Sequence, residues 1–582
     1  MRDLWRLTRR LSRHWRLLVG GALALPISRL SSIAVTLTIA RGLQSLETGE
    51  HATLMPKLFG WIALYAAVGG VAGFFERWWV GVLSRRFEVG LRGELFNALA
   101  AQPQSFHDEN RTGELSSRVT ADVEALRMLY GPGLLHAAGA LIVLPASLWI
   151  LGRANLELTL WLALPMACMA FGIRVFMPRM HRHSHDVQES LAEIGHCAQE
   201  SFAGIRVVQG FAREDQRTAR FTGISADNRD KQIQLARDRG LTHATVQGSF
   251  QATFALVLFL GGTAVMQGEL PPADLFVFMD LSMRAFWPLI ALGWIAGMIP
   301  RAMASAERIT QLLDRVPQIR DPEVSAAPPG PRGEVRFEDV SFTYPGAARP
   351  ALQGLRARVA PGTTLGVVGP TGSGKSTLMD LLGRFVDPTS GRVLVDGLPT
   401  DRWSLRDLRA AQGLVPQSGF LFTDSWRANL SFGREALLED DEVAKLTRLA
   451  CLEETVEGFP GGYDQLVGER GVTLSGGQRQ RTCIARALAL EPRILLLDDS
   501  LSAVDAETEA RLLRHLFDDV RGCTKVISAH RLSAVAHAEQ IVVLDAEGRT
   551  ADQGTHAELI ARPGWYRDTW QRQRDEREFE RL

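Results

Sequence analysis

Lys375 closes a run in which glycine recurs at Gly369, Gly372 and Gly374, and hydroxyls follow it at Ser376 and Thr377: GPTGSGKST. Glycines let successive backbone N–H groups converge on one concavity that suits phosphate oxygens. An ammonium at Lys375 reaches the β and γ oxygens of a nucleotide, and the Ser376 hydroxyl can take a position on magnesium. Further along, the apolar run Ile494-Leu495-Leu496-Leu497 ends in Asp498 and Asp499. A carboxylate at the end of a buried strand suits a hard cation held by oxygen and water. Alone, such an aspartate would read as a turn or cap residue; beside a phosphate loop it reads as a magnesium ligand. The chemistry these residues suit is transfer or clamping of a phosphoryl group, which depends on positioning and electrostatics.

The elements that must hold these groups are legible nearby. Thr364 to Val368 is a short apolar run that enters the glycine loop, as a central strand would, and Val335, Phe337, Val340 and Phe342 alternate like strands with one buried face. Upstream, VPQIRDPEVSAAPPGPRGE cannot continue a helix and reads as a linker. The chain has 582 residues, too many for one domain. Its 65 basic and 65 acidic residues cancel, so no global field points to nucleic acid. Five scattered cysteines show no Cys-x-x-Cys spacing for zinc or redox work.

The first half is far more apolar than the second. Six stretches, at 17–40, 58–82, 133–151, 157–178, 246–267 and 274–299, approach the roughly 20 residues that cross a bilayer. Arginines crowd the start of the chain and the loops after the second and fourth stretches, which places both termini and those loops in the cytosol. Leu4, Leu11, Trp15 and Leu18 recur near helical spacing among the first arginines and predict an interfacial helix; a secretory signal is the competing reading, opposed by the five further spans. Arg29, Glu76, Arg77, Arg174, Asp280 and Arg284 fall inside the apolar stretches. They either line a polar translocation path or neutralise one another, with Glu76 beside Arg77 and Asp280 four residues before Arg284. Trp149, Trp161, Trp287 and Trp294 suit interfacial anchoring, with contact to an aromatic or lipid-like cargo as the other reading.

The set GPTGSGKST, LVPQ (Leu414 to Gln417), LSGGQRQR (Leu474 to Arg481), LLLDD, SAVD (Ser502 to Asp505) and SAHR (Ser528 to Arg531) resembles, in order and spacing, the nucleotide-binding domain of ATP-binding cassette transporters. With six spans fused in front, the whole chain resembles a bacterial ABC exporter half-transporter. The resemblance implies a multi-domain protein: an all-α polytopic membrane domain of the type IV exporter fold over 1–315, a linker over 316–334, an α/β P-loop NTPase cassette over 335–570 and a charged tail over 571–582. It implies ATP and Mg2+ as cofactors. Tyr344 would stack on adenine; Gly369, Thr371, Gly372, Ser373, Gly374, Lys375, Ser376 and Thr377 would hold the phosphates; Ser376, Gln417 and Asp498 would surround magnesium. Ser475, Gly476, Gly477 and Gln478 would meet the nucleotide of a second subunit, Asp505 would help connect the two sites, and His530 would contact the γ-phosphate. Ala121 to Arg127 and Phe211 to Arg217 would be the coupling segments of the two long cytosolic loops.

The departure from the family pattern is Asp499, which stands where glutamate is usual. A carboxylate one methylene shorter sits back from the water it should orient, and such a misplacement costs on the order of a hundredfold in rate. With Tyr344, Lys375, Gln417, Ser475 and His530 retained, the pattern resembles the impaired-site subunit of a heterodimeric multidrug-type exporter. A homodimer with Asp499 as a working base, and a nucleotide-clamping regulatory subunit, are the alternatives. The expected setting is a bacterial cell membrane, with a second half-transporter, the bilayer and a small amphipathic cargo as partners. A soluble cassette acting on DNA is excluded by the six spans.

Overall fold

A computed structural model of the chain describes residues 1–47, 51–326, 330, 332–468 and 474–580. The expected linker and tail each fall partly outside them. The chain divides into two compact units: Met1–Ala101 with Asn110–Val316, and Gln102–Glu109 with Pro317–Leu582.

The first unit is helical, because backbone N–H and C=O groups in hydrocarbon must be paired within the segment. Among the described residues six helices are long and apolar enough to cross a membrane: Arg2–Leu46, Leu54–Ala100, Thr112–Ala154, Leu156–Ala203, Glu214–Met266 and Pro272–Asp314. Each expected span coincides with one of them, the fifth ending one residue past its helix at Met266, and most of the helices run well beyond the spans. The third and fourth are separated at Asn155, whose side chain caps the fourth by accepting from the Leu158 N–H at 2.9 Å. Before the sixth helix, Gly268 turns with φ of 77° and Pro272 opens the helix. Leu151, Leu158, Leu162, Val257, Phe278 and Leu281 pack into one buried cluster among five of these helices with Ile33.

The charges inside the apolar stretches pair between helices as well as within them. Glu76 accepts from Arg29 at 2.5 Å, so the expected partnership with Arg77 is replaced by one across two helices. Successive helical residues point to different faces, and Arg77 cannot turn to its neighbour's carboxylate. Asp280 does hold Arg284, at 2.5 Å, and also accepts from the Thr36 hydroxyl at 2.6 Å. At the N-terminus Arg2–Thr8 is helical and Leu7 and Leu11 are buried, while Trp5 and Trp15 stay exposed. Arg6 pairs with Asp314 and Arg10 with Glu94, so this segment is fastened to the unit by ion pairs. Ala121 to Arg127 lies in the same unit: buried Asp122 accepts from Ser305 at 2.8 Å and from Arg308 Nε at 2.9 Å. The short helix Gln104–Glu109, not this stretch, is the part of that loop grouped with the second unit.

The second unit is an α/β fold of two sheets. Strands β1 (Val335–Phe342), β2 (Leu352–Val359), β4 (Ser390–Val395) and β5 (Leu398–Pro399) form an antiparallel sheet in the order β2-β1-β4-β5. Strands β3 (Thr364–Val368), β6 (Gln412–Val415), β7 (Ile494–Asp498), β8 (Thr524–Ser528), β9 (Gln540–Leu544) and β10 (Thr550–Gly554) form the other, in the order β10-β9-β3-β8-β7-β6. All but β10 run parallel, and β3, β7 and β8 are buried along their whole length, as sheets covered on both faces require. One core, with Phe337, Leu355, Val367, Leu378 and Leu496, joins the two sheets; another, with Trp426, Ile484, Leu497, Leu516 and Ile527, lies beneath the helices.

Candidate nucleotide site

In an open parallel sheet the loops after the strands converge at the carboxyl edge, where ligands bind. Here β8 lies between β3 and β7, and the register sets Val367 and Asp498 both level with Ser528. The glycine loop after β3, the aspartates at the end of β7, the His530 turn after β8 and Gln417 after β6 therefore share one edge.

The loop's backbone explains its glycines. Gly369 has φ of 157° and Gly374 has φ of 92°; a Cβ on Gly374 would stand 2.3 Å from the Ala351 carbonyl oxygen, so no other residue fits. Gly374 caps the helix Lys375–Leu382, whose first turn carries Lys375, Ser376 and Thr377. The Lys375 ammonium donates to the carbonyls of Gly369 at 3.0 Å and Pro370 at 2.9 Å, and so lies across the loop. Burial pulls its pKa down, against the upward pull of Asp499 and Asp498. Thr371, Gly372 and Ser376 are exposed, and the Ser373 hydroxyl is buried with no partner among the described residues. The Tyr344 hydroxyl lies 3.1 Å from Thr377 Oγ1, which fixes the ring beside the start of the helix; partial burial raises its pKa.

Asp498 is buried and one carboxylate oxygen accepts from the Ser528 hydroxyl at 2.5 Å. Ser528 has no role that the sequence alone assigns, although it opens the SAHR motif. Asp499 has φ of 42°, a left-handed conformation that aspartate tolerates better than most side chains. Its N–H donates to the Ser528 carbonyl at 3.0 Å, and its carboxylate accepts the His530 backbone N–H at 3.3 Å. The two aspartates and the His530 turn thus form one bonded group. Asp380, on the helix after the loop, is a further carboxyl that belongs to no motif; burial, then Asp498 and Asp108, push its pKa up to about 6. His530 is held from its other side as well. Gln573, in the helix Trp565–Glu580, donates to the His530 carbonyl and accepts from the Leu532 N–H, both at 2.9 Å.

Gln417 is exposed, and its carbonyl accepts from Gln480 at 2.9 Å, tying the β6 loop to the helix Gly476–Leu488. Ser475 caps that helix in a reciprocal box with Gln478, the Ser475 N–H donating at 2.9 Å and the Gln478 N–H at 3.2 Å. Gln478 is thereby committed to the cap. Ser475 and Gly476 are exposed, and the capping bonds of this segment stay within its own helix. Asp505 caps the helix Ala506–Arg514 by accepting from Thr508 at 2.9 Å; that bond lowers its pKa.

Ser376, Gln417 and Asp498 offer oxygen only, the donor set that magnesium takes. Asp498 has one oxygen fixed by Ser528, which leaves the other for a ligand, so the residues fit the ion.

A phosphate loop on a parallel sheet, fused to six long apolar helices, defines a membrane-embedded ATP-driven transport ATPase. The model of the ABC transporter transmembrane region matches residues 18–289, and that of the ABC transporter domain matches residues 352–502. The multidrug resistance-like ATP-binding protein MdlA of Escherichia coli is 33% identical over 96% of this chain and 95% of its own. An ATP-dependent lipid A-core flippase of Chromobacterium violaceum is 31% identical over 97% of each. The solved structure of a bacterial Atm1-family ABC exporter with ATP bound superposes with a TM-score of 0.76, at 28% identity, over 96% of this chain and 99% of that one. The chain belongs to the ABC transporter family, as a multi-pass membrane protein with the fused exporter-type architecture.

Proposed function

We propose that this chain is one half of an exporter that moves an amphipathic or lipid-like compound out of the cytosol or inner leaflet, and that it works beside a different half-transporter. Export is supported by relatives named for multidrug resistance and for lipid A flipping that match nearly the whole chain. In this reading the protein sits in a bacterial cell membrane with the cassette in the cytosol. The glycine-loop N–H groups and Lys375 bind the β and γ phosphates, and Tyr344 supports adenine. Magnesium, held by Ser376, Gln417 and Asp498, would neutralise charge on those phosphates. The signature segment Ser475 to Gly477, with Ser475 and Gly476 exposed at a helix start, completes the partner's site.

The observation that carries the heterodimer is Asp499. Its carboxylate is short and already accepts the His530 N–H, so it is badly placed to orient a water. The test is phosphate release by the assembled transporter at saturating ATP and magnesium. If this site is nearly idle, Asp499→Asn changes turnover only a few-fold, because the partner's site does the chemistry. A loss on the order of a hundredfold would make Asp499 a working base and favour a homodimer.

A further inference from the structure

The membrane unit holds a cavity of about 800 Å³, within the size range of small-molecule sites. Arg29, Arg77, Arg85, Arg127 and Arg284 line it, together with His136, and among the described residues no carboxylate does. Four of these arginines have acidic partners, none of which lines the cavity: Glu76 for Arg29, Glu88 for Arg85, Glu124 for Arg127 and Asp280 for Arg284. Arg77 has no ion-pair partner among the described residues, and Arg29 keeps a buried Nε without an acceptor. The remaining wall is apolar, with Ile33, Val80, Leu135 and Trp287.

Arg77, Gly81 and Arg85 stand four residues apart, in one row along the second long helix. The same three residues line a second groove, beside the exposed Trp78 and Val89. A Cβ on Gly81 would meet nothing within 4 Å, so this row borders both the cavity and the groove with open space at its middle position.

The geometry points to a cavity that receives the anionic headgroup of an amphiphile, with Arg77 as its principal contact and the apolar wall taking the chain. Arg77 is exposed and has no carboxylate partner among the described residues, so an anion in the cavity would meet an uncompensated guanidinium, whereas a cationic cargo would meet five arginines. The substrate class rests on the export reading above, but binding does not require transport.

The test is equilibrium binding by the full nucleotide-free chain in uncharged detergent, read by native mass spectrometry. The probes are oleoyl lysophosphatidic acid, oleoyl lysophosphatidylcholine, oleoylcholine and glycerol 3-phosphate. The lysophosphatidic acid should bind at least about ten-fold tighter than the zwitterion and tighter still than the cation, and glycerol 3-phosphate should not saturate. Arg77→Gln should weaken the acid about ten-fold and leave the zwitterion unchanged, and Arg77→Lys should recover most of the loss. Equal affinities for the three amphiphiles, or an unchanged affinity in Arg77→Gln, would overturn the proposal. Glycerol 3-phosphate binding as tightly as the lipid would reduce the site to one for free phosphates. Should Arg77→Gln not fold, Arg284→Gln provides the same comparison. Because no ATP is present, a failure here leaves export standing, whereas intact binding without ATP-dependent transport in vesicles would remove export alone.

Discussion

Single side chains set the electrostatics of the nucleotide site. Asp498 and Asp499 act on Lys375 and Asp498 acts on Asp380, and burial makes the charged form of Asp380 unfavourable, pushing its pKa up to about 6 from 3.8 in an open chain. The sign follows from linkage: the folded state holds this proton more tightly than the unfolded one. Its contribution therefore costs nothing below the unfolded pKa of 3.8, erodes stability as pH rises towards about 6, and remains as a penalty above that. Asp380→Asn removes the penalty while keeping the shape. In nucleotide-free, magnesium-free protein it should raise the Tm of the cassette by a few degrees at about pH 7.5, and the difference should shrink towards pH 4. A Tm difference independent of pH would show that the gain has another cause. Magnesium should narrow the contrast without erasing it, because a cation beside Asp498 relieves that repulsion and leaves the larger cost of burial in place.

At the scale of elements, the residues legible in the sequence are those whose partners lie close along the chain. The glycine loop announces its strand and helix, and the apolar runs announce six spans, because each pattern is local and periodic. Ser475 and Gln478 are recognisable as a motif, yet their capping box shows that part of the motif's spacing serves the helix start. Long-range partners carry no such signal. Ser528 reaches Asp498 across 30 residues and Gln573 reaches His530 across 43, and nothing in either local run marks the bond. For the same reason Glu76 looks in sequence like the partner of adjacent Arg77, although the fold brings Arg29 to it from another helix. The Gln573 hydrogen bonds make the C-terminal helix part of the His530 turn. Gln573→Leu leaves the His530 carbonyl and the Leu532 N–H without these partners, and His530 is the side chain expected at the γ-phosphate. ATP-analogue dissociation from this chain's own site should then accelerate about ten-fold, while ADP, which has no γ-phosphate, should be retained as before. Equal weakening of both nucleotides would assign Gln573 a general structural role.

For the whole molecule, the disposition of the signature segment decides how two chains share the work. Ser475 and Gly476 are exposed, and their capping bonds stay inside the helix Gly476–Leu488, whereas Lys375, Asp498 and His530 share the carboxyl edge of the six-stranded sheet. In the two-subunit arrangement proposed above, the P-loop would serve this chain's nucleotide and the signature the partner's, so one chain would contain two separable half-sites. Two substitutions dissociate them. Lys375→Ala removes the ammonium opposite the phosphates, and with it a charge-assisted hydrogen bond, so ATP-analogue binding at this chain's own site should weaken by about ten-fold or more. Ser475→Arg adds bulk and charge at the start of the signature helix and leaves the P-loop untouched, so binding at the chain's own site should persist. Turnover should nonetheless fall by most of its value, because closing the partner's site supplies the positioning on which phosphoryl transfer depends. The two read-outs are analogue binding assigned to this chain by photolabelling, and phosphate release by the assembled transporter. Full turnover in Ser475→Arg would place the signature outside the competent site, and with it would fall the assignment of this segment to the partner's nucleotide.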